Sequence, residues 1–199
     1  YVETEGDELY YEVRGNGPPL LMIAGGGGDA GFFALVAPIL AKEYKVITYD
    51  RRGNSRSSRH KPQNFEISQQ SRDAVAVLRA AGETSAYVVG NSGGAVIALD
   101  MAKTQSEAIR ATVVHEAPIL ALLPDYQKWQ RFFAGIYWMA YAFGPNIAMF
   151  RFSFALGIPW RTFRDVPDDF AKRNGQNQAF FIEQEMLSFT KYCPDITAI

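Results

Sequence analysis

Gly90-Asn91-Ser92-Gly93-Gly94 lies between a strand-like run, Ala86-Tyr87-Val88-Val89, and a helix-like run, Ala95-Val96-Ile97-Ala98-Leu99. Gly-x-Ser-x-Gly between a strand and a helix predicts one sharp turn that holds its central serine in a strained backbone conformation. The serine hydroxyl then projects above the edge of a sheet. Glycine is needed two residues on either side, because a Cβ there would collide with the crossing strand and helix.

The same alternation runs through the first part of the chain. Tyr10 to Arg14 reads as a strand, closed by the turn cluster Gly15-Asn16-Gly17-Pro18-Pro19. Leu20-Leu21-Met22-Ile23 is wholly apolar, as expected of a strand covered on both faces. Four glycines follow, Gly25 to Gly28, and then a helical stretch from about Phe32 to Ala41. Lys45 to Tyr49 is the next strand, ending in a polar loop from Asp50 to Pro62. Ala74, Val77, Leu78 and Ala81 predict a helix over 68–81 that stops at Gly82. The helix after Ser92 is expected to reach about Gln105, and Ala111 to His115 forms a further strand. Strands alternating with helices predict an α/β fold with a mostly parallel sheet covered on both faces. Ligands in such sheets sit at the carboxyl ends of the strands, where the glycine run, the 50–56 loop, Ser92 and Glu116 all fall.

After Pro124 the alternation stops. Residues from about 125 to 191 read as helices rich in aromatics and methionines, among them Trp129, Phe132, Phe133, Tyr137, Trp138 and Met139. The expected organisation is a core over 1–123, a helical cap inserted over 124–190, and a return to the core over 191–199. About half of those aromatics serve ordinary helix packing, and the rest line an apolar pocket between cap and sheet. Gly27, Trp129, Phe133 and Trp138 are the expected substrate contacts.

A chain of 199 residues can bury a sizeable core, and its formal charge of −1 offers no electrostatic reason to bind nucleic acid. The single cysteine, Cys193, excludes an intrachain disulfide and favours a reducing compartment, so a cytoplasmic location is expected. No run reaches the roughly 18 uncharged apolar residues that span a bilayer, since Gly144, Pro145 and Asn146 interrupt the longest candidate. The chain begins at Tyr1, so the lack of a targeting segment carries no information. Assembly as a homodimer stays open.

Ser92 is the candidate nucleophile, and the chemistry expected of it is that of a serine hydrolase. A neutral hydroxyl attacks poorly unless a base takes its proton and donors hold the developing oxyanion. One donor is the backbone N–H of Gly93; a second is expected from the glycine loop, at Gly26. A flexible turn or a phosphate cradle is the alternative for Gly25 to Gly28, but neither a complete Gly-x-Gly-x-x-Gly nor a Walker lysine is present. Glu116 is either the acid that orients a base or a structural strand-end carboxylate. His115 and His60 are the only histidines, and neither makes a good base. His115 should point away from Glu116 as its strand neighbour, and His60 lies in a solvated loop. No cofactor or metal is implied, because two separated histidines make no ligand cluster. In the loop Asp50-Arg51-Arg52-Gly53, Asp50 is expected to pair with an arginine and Gly53 to permit a tight turn.

The order of glycine-rich loop, Tyr49-Asp50-Arg51-Arg52-Gly53-Asn54-Ser55-Arg56-Ser57 and Gly90-Asn91-Ser92-Gly93-Gly94 resembles the alpha/beta-hydrolase superfamily. The resemblance covers the chain from about Tyr10 to Glu116. It departs from the pattern at Ala24-Gly25, where the family commonly has His-Gly. Val114-His115-Glu116-Ala117-Pro118 is similar to the corresponding segment of the zearalenone lactone hydrolases, and the spacing from Ser92 to Glu116 is similar too. That resemblance implies Glu116 as the triad acid and agrees with Gly26 and Gly93 as oxyanion donors. The family's histidine lies after the last strand, and residues 194–199 look like the stretch before the seventh strand. Two strands, their helices and the base histidine are therefore expected beyond Ile199, a truncated protein being the simpler account and a chain naturally lacking the histidine the other. The activity implied is hydrolysis of a fairly apolar carboxylic ester or lactone, with these residues alone inactive. The alternatives are a small-ligand-binding protein on a hydrolase fold and a cofactor-free lyase or oxygenase of the same superfamily.

Overall fold

The side chains of Leu20 to Ile23 carry no polar group, and β4 (Pro19–Ile23) is buried along its whole length at the centre of a five-stranded sheet. A computed structural model describes residues 1–60, 65–158 and 166–194. β5 (Lys45–Tyr49) and β6 (Ala86–Asn91) flank β4 in parallel, with Leu21 opposite both Ile47 and Val88. β7 (Ile109–His115) adds parallel to β6, and β3 (Tyr11–Arg14) adds antiparallel to β5. The order is thus β3-β5-β4-β6-β7. The four parallel strands share one direction, so Ile23, Tyr49, Asn91 and His115 all end at one edge, where the glycine run, Asp50, Ser92 and Glu116 follow directly in the chain.

The two-residue period of β4 divides the core. Leu21 and Ile23 pack with Ile47, Val88, Val77, Leu78, Val96 and Met101 on one face. Leu20 and Met22 pack with Val46, Phe33 and Ala37 on the other. Each of these side chains other than Ala37 contributes about 1.5–3 kcal/mol when fully buried. The first face is covered by α2 (Ile67–Ala80) and α3 (Gly93–Thr104), joined by a bond from Ser71 Oγ to Asp100 Oδ2 of 2.6 Å.

Two local features differ from expectation. The helix expected over 32–41 is a 3₁₀ turn, Ala30–Phe33, followed by the short α1 (Ala37–Leu40). Asp29 caps the first piece through Gly31 N–H, and Pro38 has no N–H with which to continue it into the second. A hairpin of β1 (Val2–Thr4) and β2 (Asp7–Leu9) precedes the sheet, its loop residues Glu5 and Gly6 both at positive φ. Strands of three residues carry too little periodicity to be read from sequence.

Beyond Leu123 every regular element among the described residues is helical. α4 (Tyr126–Phe143) and α5 (Pro145–Ala155) are separated by Gly144 at φ 90. α6 (Asp168–Phe180) runs through a π-helical turn, Phe181–Glu185, into α7 (Met186–Lys191). These helices share their own apolar cluster around Phe133, Ile136, Ala148, Ile182 and Met186. Phe189, however, packs in the cluster beneath the sheet rather than with the other helices of this segment. Residues 195–199 lie outside the described residues. Among those described, no helix is long and apolar enough to cross a membrane.

Candidate active site

The turn between β6 and α3 puts Ser92 at φ 52 and ψ −119, a conformation L-residues rarely adopt. Ser92 N–H donates to the His115 carbonyl at 2.8 Å, which ties the turn to β7. A Cβ on Gly94 would strike the carbonyl of Ile23, and one on Gly90 would strike the carbonyl of Gly94. Both flanking glycines are therefore demanded by backbone that has nowhere to move.

The glycine loop crosses directly over this turn. A Cβ on Gly25 would lie 2.8 Å from Ser92 Cβ, and one on Gly26 would lie 2.7 Å from the Phe181 ring. Gly27 and Gly28 take positive φ, and Gly28 N–H closes the turn onto Gly25 C=O at 3.0 Å. Among the described residues, no protein acceptor takes the N–H of Gly26 or of Gly93. Gly25, Gly26, Gly27, Ser92 and Gly93 all line a cavity of about 680 Å³.

Glu116 follows β7 directly, at φ 54, and lines the same cavity. His115 turns elsewhere, its Nδ1 2.8 Å from Asn91 Nδ2. His60 is exposed, with Nδ1 3.3 Å from Asp7. Neither histidine lines the cavity, and among the described residues no histidine side chain is hydrogen-bonded to the Ser92 hydroxyl.

Trp129 and Phe133 form part of the apolar wall with Leu120, Met149 and Phe152. Trp138 does not belong to it: it is 64% exposed and meets Tyr137 and Tyr141 edge-on. At about 100° per residue, five positions past Phe133 carries a side chain to the far side of α4. Sequence reading missed Phe181, Phe189, Asn174 and Gln178, all of which line the cavity. Helical spacing alone does not say which face of α6 and α7 the sheet will meet.

The charged loop after β5 braces the site. Asp50 Oδ2 accepts from Arg56 Nε at 2.6 Å, and Asp50 Oδ1 accepts from Ala30 N–H at 2.8 Å. Arg52 binds Asp7 and Asp73. Burial pushes the Asp73 carboxyl up by more than the Arg52 bonds draw it down. Asp29 behaves oppositely. Burial works to raise it, but bonds from Arg173 Nε at 2.6 Å, Ser55 Oγ at 2.6 Å and Gly31 N–H outweigh burial and hold it below the usual carboxylate range.

Residues 18–141 match the family model described as the alpha/beta hydrolase fold. The chain belongs to the alpha/beta hydrolase fold family. A relative named as an uncharacterized hydrolase, YraK of Bacillus subtilis (strain 168), is 42% identical over 123 residues, covering 61% of this chain and 45% of YraK. The chain thus spans about half the length of that relative. Among solved structures, a thermophilic esterase from Thermogutta terrifontis superposes with a TM-score of 0.69 at 21% identity, over 98% of this chain and 71% of the esterase. An alpha/beta hydrolase from Sphaerobacter thermophilus gives a TM-score of 0.65 at 22% identity, over 96% of this chain and 74% of its own. At such identities these neighbours establish the alpha/beta hydrolase architecture alone.

Proposed function

We propose that this chain carries the nucleophile and oxyanion donors of a serine hydrolase acting on a carboxylic ester or lactone of a fairly apolar small molecule. The observation that supports it most is the meeting in one cavity of Ser92 with the N–H groups of Gly26 and Gly93, neither of which has an acceptor among the described residues. Ser92 Oγ adds to the carbonyl carbon while a base takes its proton. The carbonyl oxygen becomes an oxyanion facing both N–H donors, and collapse expels the alcohol and leaves an acyl-enzyme. Water then adds to the acyl carbon by the same route and releases the acid. One oxyanion donor is worth about 10²–10³ in rate.

The base in this reading is a histidine from beyond Ile199, held in its tautomer by Glu116, which reaches the cavity from the end of β7. The helices from Tyr126 onward act as a cap whose Trp129 and Phe133 walls favour apolar acyl or leaving groups. In the complete protein, Ser92→Ala should lower turnover of a p-nitrophenyl ester by at least about 10³-fold with an unchanged circular dichroism spectrum. A fluorophosphonate probe should label the wild type at Ser92. Unaltered turnover in the variant would sink the assignment, and a folded wild type inert to the probe would point to a ligand-binding protein instead.

A further inference from the structure

Arg51 and Glu185 form an ion pair whose side chains are both 0% exposed. The guanidinium is fully committed. Nη1 and Nη2 each donate to Glu185 at 2.7 Å, and Nη1 also reaches Gln70 Oε1 at 3.3 Å. Nε donates to the Ala24 carbonyl at 3.0 Å, and Nη2 also donates to the Gly25 carbonyl at 2.7 Å. Glu185 Oε1 takes a further bond from Asn54 Nδ2 at 2.9 Å. Burying such a pair is costly, and apolar residues of the same volume often serve stability as well or better. Packing therefore does not explain why charges stand here.

Their targets do. The Gly25 carbonyl and the Gly26 N–H belong to one peptide unit, which is planar and trans, so the two groups point in opposite directions. Holding the carbonyl against Arg51 on the buried side aims the Gly26 N–H the other way, and Gly26 lines the cavity. A bond from a cation also polarises the peptide and strengthens its N–H as a donor.

The segment that supplies Glu185 touches the second donor as well. Phe181 lies over Gly26, where a Cβ would sit 2.7 Å from its ring, and Phe189 lies over Gly93, where one would sit 2.6 Å away. The Arg51 guanidinium is 5.3 Å from the centre of the Phe189 ring. Phe181, Glu185 and Phe189 recur every fourth residue across the π-helical turn, so one face of one helix meets both donors and the arginine between them.

We infer that Glu185 is a positioning residue: through Arg51 it sets the direction of the Gly26 N–H, and with Phe181 and Phe189 it ties formation of the oxyanion site to docking of the 181–189 helix. This rests on the reading of Gly26 and Gly93 as oxyanion donors. The test measures kcat and KM for a p-nitrophenyl ester, and the urea midpoint, in the complete protein carrying Glu185→Gln or the pair Arg51→Met with Glu185→Leu. Glu185→Gln should lower kcat by about 10- to 100-fold with KM within about threefold, the size expected of a weakened oxyanion donor. The double variant, freed of both buried charges, should recover the wild-type urea midpoint while its kcat stays equally low. Recovery of kcat together with stability would make the pair merely structural and overturn the inference. So would a folded Glu185→Gln whose kcat stays within about twofold of wild type, and if that single variant does not fold, the double variant decides alone. Ser92→Ala, run alongside, separates this failure from that of the serine-hydrolase reading, which only unaltered turnover in that variant would contradict.

Discussion

Ser92 occupies a backbone conformation that costs a non-glycine residue about 1–3 kcal/mol. The surrounding turn sustains it through Gly90, Gly94 and the bond from Ser92 N–H to His115. Removing the side chain down to glycine should therefore stabilise the fold. Ser92→Gly is expected to unfold at a higher urea concentration than Ser92→Ala, by roughly 1 kcal/mol, with both inactive; equal midpoints would show that the turn is unstrained. Gly94→Ala should act in the opposite sense. Its methyl would meet the carbonyl of Ile23, which belongs to the central strand and cannot step aside, so a loss of about 1–3 kcal/mol in urea denaturation is expected. Gly90 and Gly94 were legible in sequence because their constraint is local: one short turn forces strand and helix past each other. Trp138 was not legible, because its fate depends on the azimuth of α4 rather than on any neighbour in sequence.

Helix α6 is attached to the glycine loop through polar groups rather than apolar ones. Arg173 bonds Asp29, and Asn177 Nδ2 donates to the Gly27 carbonyl at 2.6 Å and to Ser55 Oγ at 2.7 Å. The Asp29 carboxyl is held below its ordinary value in the folded protein, so the unfolded chain binds its proton first as pH falls. The stabilisation is complete above the unfolded aspartate pKa of about 3.9 and is lost as pH drops through the folded value. Urea midpoints taken from about pH 6 to about pH 2.5 should therefore fall more steeply in the wild type than in Asp29→Asn. Parallel curves would mean that Asp29 contributes no linkage. The existence of α6 could be read from spacing; its docking partners could not, since Asp29 and Arg173 are far apart in the chain and carry no pattern that joins them.

Glu185 and Phe189 come from the helical segment after Leu123, yet both are buried among groups of the sheet and its loops. A segment anchored in this way should not unfold independently. All three tryptophans, Trp129, Trp138 and Trp160, lie within 124–190, so tryptophan fluorescence reports on that segment while far-ultraviolet dichroism reports on the whole. The two thermal transitions are expected to coincide; a fluorescence change well before the dichroism change would make the segment a separate unit. Phe189→Ala should shift both transitions together, at a cost of about 3–5 kcal/mol. The aromatic pattern of that segment carries no sign of this, because whether Phe189 meets the sheet is decided by how the helix docks.

Alternation of apolar strands with helices, and one Gly-x-Ser-x-Gly at a strand end, determined the mostly parallel sheet, the carboxyl edge that the candidate residues share and the candidate nucleophile from the residues alone. Each of those follows from repulsion and burial between neighbours in the chain, which leave a period or a motif behind. Tertiary structure alone decided that Phe181, Glu185 and Phe189 would close on Gly26, Arg51 and Gly93, and that Trp138 would face solvent. Such choices depend on how two packed layers are rotated against each other. That rotation is set by the whole core at once and is written in no single stretch of sequence.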